Sequence, residues 1–222
     1  MKNILLFILL LINNVSDGEP KETDSRELVY KDAEEGLKIS FESSVQIRFI
    51  GANGAGLGSG NLISHDGELY ITTAKHVVEN AYFLEIIEKS GNTLPLVVVY
   101  SDTEKDIAFL KPLGEMDSTK PAKFKQKEGY LIGTPVYHCG HPIGVLFNVS
   151  DGIITSISEE SYNINSFSLP GSSGAVVFDK KGYIVGVVVS ISLHNSIGSI
   201  ESVSQIVKVE TMGSSEISFL KN

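Results

Sequence analysis

Ser168-Leu169-Pro170-Gly171-Ser172-Ser173-Gly174-Ala175-Val176-Val177-Phe178-Asp179-Lys180 is the stretch from which the rest of the chain takes its meaning. A Gly-x-Ser-Gly turn running into an apolar strand holds a hydroxyl at a sharp bend with backbone N–H groups beside it. That suits a nucleophile with an oxyanion hole. Glycine and serine also make up most surface turns, so the turn alone does not separate a site from a loop. A base and an orienting acid upstream do.

Both are present. Leu69-Tyr70-Ile71-Thr72-Thr73-Ala74-Lys75-His76-Val77-Val78 ends a β-branched strand on His76, and Asp106-Ile107-Ala108-Phe109-Leu110-Lys111 opens an apolar strand on Asp106. Gaps of 30 residues from His76 to Asp106 and 67 from Asp106 to Ser173 place base and acid in one structural unit and the nucleophile in another. The order His, Asp, Ser is that of chymotrypsin, not of subtilisin or the α/β-hydrolases. Gly58-Ser59-Gly60, Gly140-His141-Pro142-Ile143-Gly144 and Ser150-Asp151-Gly152-Ile153-Ile154 fall between and around these motifs.

Taken together the six motifs, in order over about residues 42 to 210, make the chain resemble a trypsin-like (chymotrypsin-fold) serine protease. The closest resemblance is to the disulfide-free HtrA/Deg-type protease domain. It implies an all-β fold of two six-stranded antiparallel β-barrels with the active site between them. It also implies a catalytic triad of His76, Asp106 and Ser173, with the N–H groups of Gly171 and Ser173 as the oxyanion hole. Serine stays protonated at neutral pH, so a base must take its proton during attack. A carboxylate fixes the tautomer of that base and stabilises the imidazolium that forms. Asp102 competes with Asp106 for the acid, and Ser172 with Ser173 for the nucleophile. Only Ser173 has glycine at both the −2 and +1 positions.

The family's primary pocket falls on Phe167, Ser168 and Leu169 and on Ser190, Ile191 and Ser192. No acid lies among Ser166 to Pro170 to pair with Lys or Arg, so the expected preference is for small or medium apolar residues. His194 is the alternative lining residue. His138, Cys139 and His141 are close in sequence, but strand alternation sends His138 and Cys139 to opposite faces and no fourth ligand is evident; no metal and no cofactor is expected. The expected partners are polypeptide substrates. Two rivals stand beside the peptidase: an inactive relative binding peptides in the cleft, and a hydrolase of other esters or amides.

The composition is consistent with this reading. The 222 residues are 42% hydrophobic and 20% charged, an ordinary globular balance. A formal net charge of −9 argues against nucleic acid and anionic membrane surfaces as partners. With Cys139 alone, no intrachain disulfide forms. Lys2 precedes nine apolar residues, Ile4 to Ile12, followed by polar and small residues, the pattern of a secretory signal over residues 1–18. A membrane span needs ~20 apolar residues, which makes an anchor at residues 4–12 the alternative.

The expected organisation continues with an acidic linker at 19–40, a first barrel at 41–112, a lysine-bearing connection at 113–128, a second barrel at 129–210 and a tail at 211–222. Pattern alone gives short strands punctuated by Gly, Asn and Asp, an antiparallel barrel or sandwich. It places a turn over Gly51 to Gly60, a strand over Val145 to Val149, and no helix.

Overall fold

The computed structural model describes residues 33–52, 54–196 and 199–208. The expected signal at 1–18, most of the linker and the tail at 211–222 lie outside the described residues. Short helix α1 (Glu35–Ser43) leads into β1 (Ser44–Gly51), β2 (Gly54–His65), β3 (Glu68–Ala74), one-turn helix α2 (Lys75–Val78), β4 (Ala81–Ile87), β5 (Thr93–Asp102) and β6 (Ile107–Pro112). These six strands run in the order β1-β4-β5-β6-β3-β2, and antiparallel pairing of β1 with β2 closes them. The two-residue β7 (Ala122–Lys123) adds in parallel to β2. The second barrel is also closed: β8 (Pro135–Gly140), β9 (Asn148–Ile157), β10 (Ser161–Ile164), β11 (Val176–Asp179), β12 (Ile184–Ser196) and β13 (Ser199–Lys208) in the order β10-β13-β12-β11-β8-β9. The expected double six-stranded barrel is the fold.

Each barrel has its own apolar filling. Val45, Ile47, Leu62, Ile71, Ile86 and Leu110 fill the first, and Val136, Ile154, Tyr162, Ile164, Val177 and Ile206 the second. A third cluster joins Ile63, Tyr70, Ile107 and Phe109 to Val176, Phe178, Val187 and Val207, so the barrels share a continuous dry interface. Burying such side chains is worth roughly 1.5–3 kcal/mol each, which fixes one barrel against the other. Asn61 is the polar counterpart of that seal. Its Oδ1 accepts from Val176 N–H at 2.9 Å, and its Nδ2 donates to Ser43 Oγ at 2.8 Å and to Ser40 O at 3.2 Å.

Three local expectations are corrected. The glycine-rich stretch 51–60 is a turn only at its start; from Gly54 on it is strand. A Cβ at Gly56 would fall 2.4 Å from the Phe49 ring, at Gly58 2.5 Å from Val77, and at Gly60 2.9 Å from Ile71. These glycines serve close packing rather than bending. Residues 35–43 are helical, and residues 145–147 are a turn that precedes β9. Phe147 has φ 52°, outside the range of a strand.

Candidate active site

His76 sits in α2, the first residues past β3, where the chain leaves the barrel wall. Asp106 stands thirty residues on, at the mouth of β6, the strand paired with β3. The two meet twice: His76 N–H donates to Asp106 Oδ1 at 2.8 Å, and His76 Nδ1 lies 2.6 Å from Asp106 Oδ2. Lys75 N–H also donates to the Asp106 carbonyl at 3.0 Å. The acid is thereby held by backbone and ring together, Nδ1 carries the proton, and Nε2 is left as the acceptor. Both side chains are partly solvent-accessible, 43% for His76 and 31% for Asp106. His76 also lines a groove of about 370 Å³ with Phe49, Ala55, Glu79 and Asn80. Asp102, the competing acid, is turned away: its Oδ1 caps the N–H groups of Glu104 and Lys105.

Ser173 is held by main chain. Its carbonyl accepts from Ser59 N–H at 2.8 Å across the barrel interface, and the next N–H, of Gly174, donates to Val188 O at 2.8 Å. Gly174 has φ +91°, and a Cβ there would lie 2.1 Å from Ser59 O and 2.2 Å from Thr73 Oγ1. Only glycine lets the turn press this closely on β2 and on β3, the strand that leads into His76. Val77 packs on Gly58, whose Cβ position is 3.3 Å from the Ser173 carbonyl. The serine turn and the histidine helix are therefore neighbours on either side of β2. Among the described residues, no hydrogen bond joins Ser173 Oγ to His76.

A family model described as a trypsin-like peptidase domain matches residues 58–187 of this chain, 130 of its 222 residues. The chain belongs to that family. This trypsin-like peptidase is 32% identical over 143 residues to a DegP-like periplasmic serine endoprotease of Halomonas elongata, covering 59% of this chain and 28% of that protein. An HtrA-like serine protease of Staphylococcus aureus (strain USA300) is 27% identical over 159 residues, 63% of this chain and 21% of that one. The chain thus spans about a quarter of the length of these relatives. A serine endoprotease structure from Yersinia pestis superposes with a TM-score of 0.66 at 21% identity, over 84% of this chain and 66% of that one. The last likeness speaks for the fold. The HtrA/Deg resemblance and the serine-peptidase class expected from the motifs agree with these findings.

The turn before Ser173 separates its amides into two sorts. Ser172 N–H donates to Leu169 O at 2.9 Å, and Ser172 Oγ accepts from Leu169 N–H at 3.3 Å, so this buried serine closes the turn on itself. The N–H groups of Gly171 and Ser173 have no acceptor among the described residues. Gly171 takes φ +102°, which a residue without Cβ adopts at little cost. Its carbonyl accepts from Ser59 Oγ at 2.7 Å. Ser59 was visible in the motif Gly58-Ser59-Gly60, yet nothing in that triplet announces a hydroxyl that reaches the other barrel.

The expected pocket residues differ in exposure, with Leu169 half-buried in the turn. Phe167 is exposed, Ser190 and Ser192 are exposed on β12, and Ile191 packs on the second-barrel core. Ser168 is buried, its Oγ 3.4 Å from His138 Nε2. The side chain of His194 lies outside the described residues. His138, Cys139 and His141 form no metal-binding group among the described residues. Burial pushes the Cys139 thiol up to about 12, which keeps it protonated and unreactive.

Proposed function

We propose that this trypsin-like peptidase is a serine endopeptidase in which His76 is the general base, Asp106 its orienting acid and Ser173 the nucleophile. The observation that carries this reading is the double contact between His76 and Asp106. An imidazole whose Nδ1 is held by a carboxylate presents Nε2 as a base, at the end of a strand against which the Gly171 to Gly174 turn is packed. Attack by Ser173 Oγ on a peptide carbonyl transfers its proton to Nε2. The carbonyl oxygen takes the charge into the N–H groups of Gly171 and Ser173. His76 then returns the proton to the leaving amine, and water repeats the sequence on the acyl-enzyme. Nucleophile and base commonly draw within hydrogen-bond reach only with substrate bound, so the missing Ser173–His76 bond is compatible with the reaction.

The substrates proposed are polypeptides, and the absence of an acid among Ser166 to Pro170 favours cleavage after small or medium apolar residues. Export through residues 1–18 completes the reading. It is supported by the periplasmic naming of the Halomonas relative; no helix among the described residues is long and apolar enough to cross a membrane. One observation favours a second reading, a non-catalytic module that binds peptides in the cleft: the unbonded Ser173 hydroxyl. A fluorophosphonate probe with a casein digest decides between them. Labelling and cleavage that disappear together in Ser173→Ala are the expected result. Wild-type protein that neither labels nor cleaves would leave the binding module.

A further inference from the structure

Loop 141–147 lies directly on the turn that carries the two free amides. Ile143 N–H donates to the Pro170 carbonyl at 2.7 Å. In a trans peptide the carbonyl and the following N–H point in opposite directions. Turning the Pro170 carbonyl toward Ile143 therefore turns the Gly171 N–H away from loop 141–147. The next peptide is anchored from the same place. Ser59 Oγ donates to Gly171 O at 2.7 Å and accepts from His141 N–H at 3.0 Å. Both carbonyls that flank the Gly171 amide are thus tied to residues 141–143, one directly and one through Ser59.

Locally the loop is one tight turn, with Gly144 N–H donating to His141 O at 3.2 Å and Val145 N–H to Pro142 O at 2.9 Å, and two of its residues are strained. Ile143 has φ 45° and Phe147 φ 52°, left-handed values that a β-branched and an aromatic residue seldom take. Ile143, Val145 and Leu146 are exposed and bring little packing. The buried ring of His141 ties the end of the loop back to its start, beside the Phe41 ring that Phe147 meets edge-on at 6.4 Å. Its Nδ1 accepts from Phe147 N–H at 3.1 Å, and its Nε2 lies 3.3 Å from Ser44 Oγ, which in turn donates to Cys139 O at 3.2 Å. These contacts require the tautomer with hydrogen on Nε2. Phe147 meets the imidazole edge-to-face at 4.8 Å, and Lys89 Nζ stands 5.3 Å over the Phe147 ring. Burial pushes His141 down to about 4, which keeps Nδ1 free to accept at neutral pH.

We infer that His141 is a positioning residue for the oxyanion amides: its Nδ1 bond to Phe147 holds loop 141–147 closed, and the closed loop keeps the Pro170 carbonyl outward and the Gly171 N–H inward. This rests on the proposed role of Gly171 and adds to it the group that sets its orientation.

Two polar substitutions separate the role from mere stability. In His141→Asn the amide oxygen reaches the place of Nδ1 and keeps the Phe147 bond; in His141→Gln the amide reaches the place of Nε2 and keeps Ser44 instead. With a fluorogenic peptide, the Gln variant should lose about 10- to 100-fold in kcat, part of what removing an oxyanion donor costs. Its KM should stay within about twofold, since the interaction acts in the transition state. The Asn variant should recover most of the loss. Amide hydrogen exchange at Ile143 and Phe147 should quicken together in the Gln variant and stay slow in the Asn variant, at similar melting temperatures. Equal kcat in all three proteins, an Asn variant as slow as the Gln variant, or slow exchange retained in an inactive Gln variant would overturn the inference. If wild-type protein cleaves nothing, the peptidase reading fails, while exchange still decides the clamp. In wild-type protein alone, Ile143 and Phe147 must open with a single protection factor, and independent opening would refute the clamp.

Discussion

Two of the molecule's histidine–serine clusters are built for opposite ends. His76 stands at the rim of the first barrel, 43% accessible, doubly bonded to Asp106, with the Ser173 turn packed behind the neighbouring strand. His138 stands inside the second barrel, 1% exposed, with Nε2 2.8 Å from Ser166 Oγ and 3.4 Å from Ser168 Oγ. No carboxylate faces it among the described residues, and burial pushes it down to about 4. A serine within reach is therefore no mark of a base. Solvent access and a carboxylate on the far nitrogen are what distinguish the first cluster; in the base role proposed for His76, proton transfer creates an imidazolium that must be both reachable and stabilised.

The sharpest way to break the comparison is to remove the carboxylate. Asp106→Asn leaves the shape of the site but presents an amide to Nδ1, which favours the wrong tautomer. A fall of about 10⁴-fold in kcat on a peptide substrate is expected. His138→Gln, measured on the same substrate and corrected for folded fraction, should leave kcat within about threefold, since this ring touches no reacting atom. Comparable losses in the two variants would dissolve the distinction.

The second test reads the burial of His138 through acid stability. Its ordinary value of 6.5 applies in the unfolded chain and about 4 in the folded one. Between those values the unfolded state binds the proton and the folded state does not, so stability falls as pH drops from 6.5 toward 4. Each unit is worth about 1.4 kcal/mol, which sets a loss of up to roughly 3 kcal/mol for this group. His141 adds a parallel contribution in the same window. Glu88 acts lower. Burial would raise its carboxyl, but bonds from Asn92 and from the amides of Asp117, Ser118 and Thr119 overcome that and hold it at about 2. Its contribution is lost only as pH falls from 4.5 toward 2. Urea midpoints followed from pH 7 to pH 4 should decline less steeply in His138→Gln than in wild-type protein; parallel curves would show that the ring is not buried neutral.

What the sequence disclosed and what it hid follow from one physical difference. Strands with an apolar alternation were legible: the apolar run after Asp106 is β6 (Ile107–Pro112), and the β-branched run before His76 is β3 (Glu68–Ala74). The pairing of His76 with Asp106 was legible because both sit in local motifs. Helix α1 was not, because its buried face is Gly36, Ser40 and Ser43, small residues that carry no hydrophobic period. Ser40 and Ser43 bond their own helix carbonyls, and a Cβ at Gly36 would fall 1.9 Å from Asp179 O. The glycines of β2 misled for the same reason, since residues that make room for a neighbour look like residues that make a turn. Ser59, His141 and Ile143 act across sequence gaps of 82 to 112 residues or through backbone groups, where no local pattern could announce them.

The smallest effect sharpens the comparison at the level of two adjacent hydroxyls. Ser172 and Ser173 share a turn, but Ser172 is buried and its Oγ is occupied by Leu169 N–H, while Ser173 is half-buried with its Oγ unbonded among the described residues. Ser172→Ala removes one neutral acceptor, worth about 1 kcal/mol of stability. The Ser172 N–H bond to Leu169 O, which sets the turn, is backbone and survives the change. A fluorophosphonate should label this variant at close to the wild-type rate, with a melting temperature only a few degrees lower. Labelling lost in Ser172→Ala with the fold intact would move the nucleophile one residue back, and would require the buried hydroxyl to leave its turn before it could act.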